Sequence, residues 1–315
     1  MRPLRLIPDD TAFRAMRWRG LAFAITILTL LATVTSLATR GLALGLDFTG
    51  GVLVEARRNA PFEIAQLRAQ LTGLQLGEVS MQAFGGDRDV MIRVQQQPGG
   101  AEAQMRAVSA ITAMLGSNFE IRRSEVVGPQ VSRELLRDGV VSALLAVLLI
   151  GIYVWFRFEW QFGLSAVLTT FHDVIAVVGL FSLFQLEFNL TIVAALLTVA
   201  GYSVNDTVVV FDRVRENRRR YKTLGLSALI DRSVNQTLSR TVMTSGTTLL
   251  AVLALLVFGG PVLRNFSLAL VVGLVVGTYS SVYVASALLL YMPSPQPSGE
   301  PSRPDDGAAA PAPGD

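Results

Sequence analysis

The chain has 315 residues, of which 51% are hydrophobic and only 16% are charged, whereas about 25% of residues are charged in soluble domains. This composition indicates an integral membrane protein. The absence of cysteine and the single histidine, His172, exclude disulfides, thiolate centres and histidine-rich metal sites, so we expect no metal and no cofactor. The sequence has no GxxxxGKS/T phosphate-binding loop and therefore no visible means of hydrolysing a nucleotide.

Six segments are long and apolar enough to cross a bilayer as helices. They lie at residues 20–39, 140–156, 162–184, 190–211, 241–258 and 266–291. Basic residues concentrate in the leader at 1–19 and in the loop predicted at 212–240. Short basic loops stay in the cytoplasm, so both termini are predicted to be cytoplasmic. Clustering of this kind is typical of membrane topology, and no nucleic-acid partner is expected.

The first span has a second interpretation. The sequence Ser36-Leu37-Ala38 follows an apolar stretch and resembles a signal-peptidase site. The leader is long for a signal peptide and contains Asp9 and Asp10, which favours an uncleaved span. Cleavage would leave the orientation of the other five spans unchanged.

The segment at 40–138, between the first two spans, is long enough for one small periplasmic domain. Alternating and helical patterns predict the order βαββαβ, a split βαβ domain of ferredoxin-like type. Its second helix is expected to bury a face that includes Met105 and Ile111. The domain shows no catalytic constellation, and we interpret it as a packing or interaction module. The segment at 293–315 is rich in Pro, Ser, Ala and Asp and is predicted to be a disordered cytoplasmic tail.

Ionisable residues lie inside the apolar spans, where they are costly and usually functional. Asp206, preceded by Asn205, is roughly 25 Å along the fourth span from its outer end, and Arg240 is roughly 27 Å along the fifth from its own. The two charges are therefore expected at one depth, either as a static salt bridge or as a proton relay. His172 and Asp173 lie near the midplane of the third span and form either a polar pair between helices or part of the same relay.

Small residues recur at steps of four in the sixth span, at Gly273, Gly277 and Ser281. Such a ridge lets another helix approach closely. We expect it to serve helix packing, and we assign the approaching helix to a partner subunit.

Together these motifs resemble the SecF family of the bacterial Sec protein-export system, part of the SecD/SecF group in the RND superfamily. The resemblance covers the entry to the outer domain and five of the six spans. The stretches that carry it are GLDFTGG (45–51), VGPQV (127–131), WFRFEW (155–160), HDV (172–174), TIVAALLTVAGYSVNDTVVVFDRVREN (191–217), NQTLSRTVMTSGTTL (235–249), FGGPVL (258–263) and VGTYSSVYVASAL (276–288).

The resemblance implies half of an RND-type transporter in the bacterial inner membrane. It implies a separate subunit that pairs with SecD and uses the proton motive force to help late, periplasmic-side stages of protein export. The family's transmembrane Asp and Arg at the positions of Asp206 and Arg240 are implicated in proton movement. The implied partners are SecD, the SecYEG channel, accessory proteins of the YajC and YidC types, the unfolded preprotein and the lipid bilayer.

Three other functions fit parts of the sequence. Asp173 and Asp206 on neighbouring spans resemble the dyad of an intramembrane aspartyl protease, but the fourth span reads GYSVND and lacks the protease pattern Gly-x-Gly-Asp. An exporter of lipids or drugs shares the fold class but not these motifs. A purely structural scaffold would tolerate the loss of charge at Asp206 and Arg240.

Overall fold

The computed structural model describes residues 13–58, 62–83 and 88–293. The start of the leader, residues 59–61 and 84–87 of the outer domain, and the tail from residue 294 onwards lie outside the described residues.

The helices and strands are numbered here in chain order. They are α1 (Arg19–Arg40), β1 (Ala43–Leu44), α2 (Leu46–Thr49), β2 (Gly51–Arg58), α3 (Ile64–Thr72), β3 (Val79–Ala83), β4 (Asp89–Val94), α4 (Gly100–Leu115), β5 (Phe119–Val127), α5 (Pro129–Arg157), α6 (Trp160–Phe184), β6 (Glu187–Phe188), α7 (Leu190–Arg220), α8 (Leu226–Phe258), α9 (Gly260–Ser280) and α10 (Ser286–Leu288). A π-helical turn, Ser281–Ala285, joins α9 to α10.

The described residues contain six helices that are long and apolar enough to span a membrane, as predicted. They are α1, α5, α6, α7, α8 and the helix that runs through α9 and α10. The prediction of a basic loop over residues 212–240 is wrong, because α7 continues to Arg220 and α8 begins at Leu226. Hydropathy locates the end of the apolar stretch and not the end of the helix. Arginine and glutamate are good helix formers, and here they carry both helices well beyond it.

The outer domain also ends earlier than predicted. Helix α5 begins at Pro129, ahead of the span predicted to start at 140. Proline suits the first helical turn, where its missing N–H costs no hydrogen bond. The polar residues that follow it extend the helix outside the apolar segment.

The domain between α1 and α5 contains one four-stranded sheet in the order β3-β4-β2-β5, and every neighbouring pair is antiparallel. The chain order βαββαβ agrees with the prediction, and this strand order is that of a split βαβ unit. Its core places Val52, Val54 and Ile92 of the sheet against Leu71 of α3 and Ile111 of α4. All five of these residues are fully buried.

The buried face of α4 differs from the prediction at one residue. Met105 is 61% exposed, whereas its neighbour Gln104 is fully buried and donates to the carbonyl of Gln97 at 3.2 Å. A polar residue in the buried stripe shifted the apparent hydrophobic face by one position.

Short contacts hold the sheet domain against the membrane helices. Strand β1 pairs in parallel with β6, in the turn between α6 and α7. Arg93 of β4 forms an ion pair with Glu187 at 2.5 Å. The Asp47 carboxylate accepts a hydrogen bond from the Leu190 N–H at 2.9 Å and thereby satisfies a free donor at the start of α7.

Gly45 lies at the same junction. A Cβ atom at this position would lie 2.9 Å from Asn189 Cβ, so only glycine fits here.

Helix α7 is central in the bundle and contacts α5, α6, α8 and α9. The ridge predicted on the sixth span does serve packing, but the helix it faces is α7 of the same chain, so its assignment to a partner subunit was wrong. An added Cβ at Gly273 would lie 2.2 Å from Val199 Cγ2, and one at Gly277 would lie 3.1 Å from Ser203 Cβ.

Replacing Gly273 by Ala is therefore expected to destabilise the bundle by about 1–3 kcal/mol, the usual cost of overpacking. The measurement is the thermal unfolding midpoint of the purified chain in detergent. Val199→Ala should recover part of the loss in the double variant, because it removes the methyl groups that clash. Gly201→Ala on α7 is the control, because its added Cβ meets nothing within 4 Å. An unchanged midpoint for Gly273→Ala would show that α7 and α9 are not in close contact.

Candidate functional site

Asp206 lies on α7 and is only 3% exposed. Ser245 Oγ of α8 donates to Asp206 Oδ2 at 3.1 Å. Thr278 Oγ1 of α9 lies 2.9 Å from Ser245 Oγ and 2.7 Å from the Leu274 carbonyl oxygen. A row of hydroxyl groups thus connects the carboxylate to the two neighbouring helices.

The predicted ion pair between Asp206 and Arg240 is not formed. Among the described residues no basic group lies within 4.0 Å of the Asp206 carboxylate, and the Arg240 side chain is exposed. Asn205, next to Asp206 in the chain, is also exposed.

The register of α7 and α8 explains this difference. Asn217 of α7 donates to Ser233 Oγ at 2.9 Å and to Gln236 Oε1 at 2.8 Å. Two antiparallel helices in this register bring Ser245 level with Asp206. Arg240 is five residues nearer the turn between the helices, or about 7.5 Å along the axis. The depth estimate treated the outer ends of the two helices as level, and they are not.

Asp173 is the second buried carboxylate and has no exposed surface. Its Oδ1 lies 2.9 Å from His172 Nδ1. Its Oδ2 accepts from Ser203 Oγ of α7 at 2.5 Å and from Ser280 Oγ of α9 at 2.8 Å. The carboxylate therefore joins three helices and has the partners that a buried polar group requires.

More hydroxyl groups continue from this cluster into the π-helical turn. Ser281 Oγ lies 2.9 Å from Thr207 Oγ1 of α7 and 3.2 Å from the Ser203 carbonyl oxygen. Ser165 Oγ of α6 donates to the Ala285 carbonyl at 2.8 Å. A π-turn displaces backbone carbonyls from the regular helical ladder, and such turns are frequent at functional sites. Here a serine hydroxyl satisfies one of those carbonyls.

The structure brings His172 and Asp173 together and places Asp206 in a separate cluster. No hydrogen bond among the described residues joins the two carboxylates, so they do not share a proton as an aspartyl protease dyad does. The searched part of the chain also has no group of three His, Asp or Glu side chains that could hold a metal ion.

Sequence reasoning missed the hydroxyl donors. Ser203 and Ser280 bind Asp173, and Ser245 and Thr278 belong to the Asp206 cluster. Serine and threonine are common in membrane helices, so their residue type alone carries little signal. Ser203 lies three residues before Asp206 in the sequence. This position near an intramembrane carboxylate was the one signal that could have marked Ser203 as part of a polar site.

This six-helix bundle, with an αβ domain after its first helix and carboxylates buried between its central helices, has the architecture of half an RND-type transporter. The family described as "Protein export membrane protein SecD/SecF, C-terminal" matches residues 107–294, and the "SecD/SecF GG Motif" matches residues 35–61.

Curated relatives match over nearly their whole length. The protein translocase subunit SecF of Vibrio alginolyticus is 45% identical over 288 residues, which cover 91% of both chains. The SecF subunit of Rickettsia felis is 40% identical over 291 residues, which cover 91% of this chain and 94% of the relative. The chain therefore belongs to the SecF subunits of the SecD/SecF family.

Solved structures show the same fold. SecDF from Thermus thermophilus, described as a translocon-associated membrane protein, matches 92% of this chain with a TM-score of 0.81 and 40% identity. SecDF in its super-membrane-facing form matches the same share with a TM-score of 0.68 and 39% identity. In both cases this chain spans only 39% of the SecDF chain.

Removing the Asp173 carboxylate should loosen the three helices that it joins. Asp173→Leu leaves the Ser203 hydroxyl without its acceptor, at a cost of about 1–3 kcal/mol for a buried group left unsatisfied. The Ser280 hydroxyl keeps the Gly277 carbonyl, 3.0 Å away, as its acceptor. Asp173→Asn should cost less, because its amide oxygen still accepts.

The measurement is the thermal unfolding midpoint in detergent, with the exposed Asp138→Leu as control. A wild-type midpoint for Asp173→Leu would show that the cluster contributes nothing to holding α6, α7 and α9 together.

Proposed function

We propose that this chain is a membrane subunit of the bacterial Sec protein-export system, and that with SecD it uses the proton motive force to promote late, periplasmic-side stages of export through the SecYEG channel. The observation that carries the proposal is a carboxylate buried between three membrane helices in a chain 40–45% identical to SecF translocase subunits. The proposed role of the chain is transport. Its proposed partners are SecYEG, the YajC-type and YidC-type proteins and the unfolded preprotein.

Asp206 is the proposed proton carrier, and its hydroxyl neighbours supply two arrangements of hydrogen bonds. When Asp206 is charged, Ser245 donates to it and Thr278 donates to Ser245. When Asp206 is protonated, it donates to Ser245, which donates to Thr278, which in turn donates to the Leu274 carbonyl. The distances of 3.1, 2.9 and 2.7 Å support both arrangements, because a hydroxyl can donate and accept.

Arg240 is the proposed regulator of that proton. Its side chain is exposed on the helix that carries Ser245, about 7.5 Å nearer the α7–α8 turn. A long guanidinium at this position can approach Asp206 in a second arrangement of the helices. An arriving positive charge would favour loss of the proton, and a departing one would favour its uptake.

Asn205, His172 and Asp173 complete the proposed relay. Asn205 is exposed beside Asp206, and its amide can hydrogen-bond the water that delivers a proton to Asp206. The buried His172–Asp173 pair contacts α7 through Ser203, which is three residues from Asp206.

The proposed location of the chain is the bacterial inner membrane, with the basic α7–α8 end in the cytoplasm and the sheet domain in the periplasm. The proposed contact with SecD includes α8, because only 6% of its most apolar segment is buried within this chain. Leu250 and Val257 of this helix are each 70% exposed, and the polar Thr247 is exposed as well.

Asp206→Asn and Arg240→Met should each abolish the part of export that depends on the proton gradient and leave the ATP-driven part intact. Asn keeps an acceptor for Ser245, and Arg240 is exposed, so both variants should fold. The measurement is preprotein translocation into vesicles with and without an imposed proton gradient, in the presence of ATP.

Matched controls are Asp138→Asn and Arg232→Met, which remove the same charges from exposed positions. Both should export like wild type. Full gradient stimulation in either test variant would mean that its residue is structural and takes no part in a relay.

A further inference from the structure

Beyond the proposed export function, an open pocket at one end of the bundle has a lining suited to an anion. It lies where α5 ends beside the cytoplasmic part of α7 and has a volume of about 540 Å³. Its lining is strongly charged and consists of Arg157, Asp212, Arg215, Glu216, Arg219 and Arg220.

The charge of the lining favours an anion. Four guanidinium groups face two carboxylates, which offset only part of the positive charge. Asp212 lies 3.7 Å from Arg157. Glu216 is paired at 2.7 Å with Arg213, which lies outside the lining. Arg215, Arg219 and Arg220 therefore leave an excess of positive charge, and guanidinium groups match the geometry of phosphate oxygens.

The surroundings of the pocket favour a lipid over a soluble anion. Arg157 ends a membrane helix, so the pocket opens at the level where the apolar segment stops. Tyr153 lies one turn deeper on the same face of α5 and is 61% exposed, and Phe156 is 89% exposed. Aromatic side chains at this depth are typical of the membrane interface. The phosphate of a lipid would thus meet the arginines while its acyl chains lie along the exposed end of α5.

We propose that this pocket binds the headgroup of an anionic phospholipid, with Arg157 and Arg219 as principal ligands from two different helices. Basic pockets between membrane helices on the cytoplasmic side commonly recognise such headgroups. A bound lipid would hold the ends of α5 and α7 together through its phosphate.

Tryptophan fluorescence offers a direct test, because exposed Trp155 and Trp160 flank Arg157 in the chain. The full chain carrying Trp18→Phe, which removes the remaining tryptophan, is reconstituted into vesicles of phosphatidylcholine and phosphatidylglycerol at a fixed ratio. Bromine, a quencher, is placed on phosphatidylglycerol in one set and on phosphatidylcholine in the other, so the surface charge is identical.

Binding predicts stronger quenching, at equal mole fraction of the brominated lipid, when phosphatidylglycerol carries the bromine. Each arginine near the membrane surface contributes a preference of about fivefold. Arg157→Gln with Arg219→Gln should abolish most of the difference between the two sets. The matched control is Arg14→Gln with Arg17→Gln, two exposed arginines that do not line the pocket, and it should keep the wild-type difference. The variant Arg157→Lys with Arg219→Lys keeps both positive charges. It should retain part of the difference in quenching between the two sets, which would show that the pocket still folds.

Two results would overturn the proposal. Equal quenching by the two brominated lipids in the parent chain would mean that the pocket selects no anionic lipid. An equal loss in both glutamine pairs would mean that only the general surface charge attracts anionic lipid, without a site.

Discussion

A carboxylate inside a membrane bundle must find hydrogen-bond donors in the bundle itself, because the surrounding hydrocarbon offers none. Asp173 and Asp206 meet this requirement with hydroxyl groups from neighbouring helices. Each carboxylate therefore fixes how its helix meets the next one. The central position of α7, which carries Asp206 and the Ser203 donor to Asp173, follows from this constraint.

Close helix packing makes these hydrogen bonds possible. Gly273 and Gly277 bring α9 against Val199 and Ser203 of α7, without room for a larger side chain. Ser280 can then reach Asp173 across the same contact. The polar clusters and the small-residue ridge are thus parts of one interface, in which backbone proximity places short hydroxyl side chains within hydrogen-bond distance of buried carboxylates.

Sequence patterns predicted the features that depend on local chemistry. Six apolar segments and the βαββαβ order follow from hydropathy and periodicity, and both are present. The relation of Asp206 to Arg240 was not predictable, because it depends on the register of α7 against α8. That register is fixed by Asn217 and its partners in α8, and no single-helix pattern encodes it. The partner of the glycine ridge was missed for the same reason.

The proposed function requires Asp206 to take up and release a proton while it remains hydrogen-bonded to Ser245. Infrared difference spectroscopy of the chain in lipid, recorded as the pH is lowered, measures this directly through the carbonyl stretch of protonated carboxyl groups. Protonation of Asp206 predicts a band that is absent in Asp206→Asn and shifted to higher frequency in Ser245→Ala, where the carboxyl loses its hydrogen-bond partner. Identical spectra for the wild type and Asp206→Asn would contradict it.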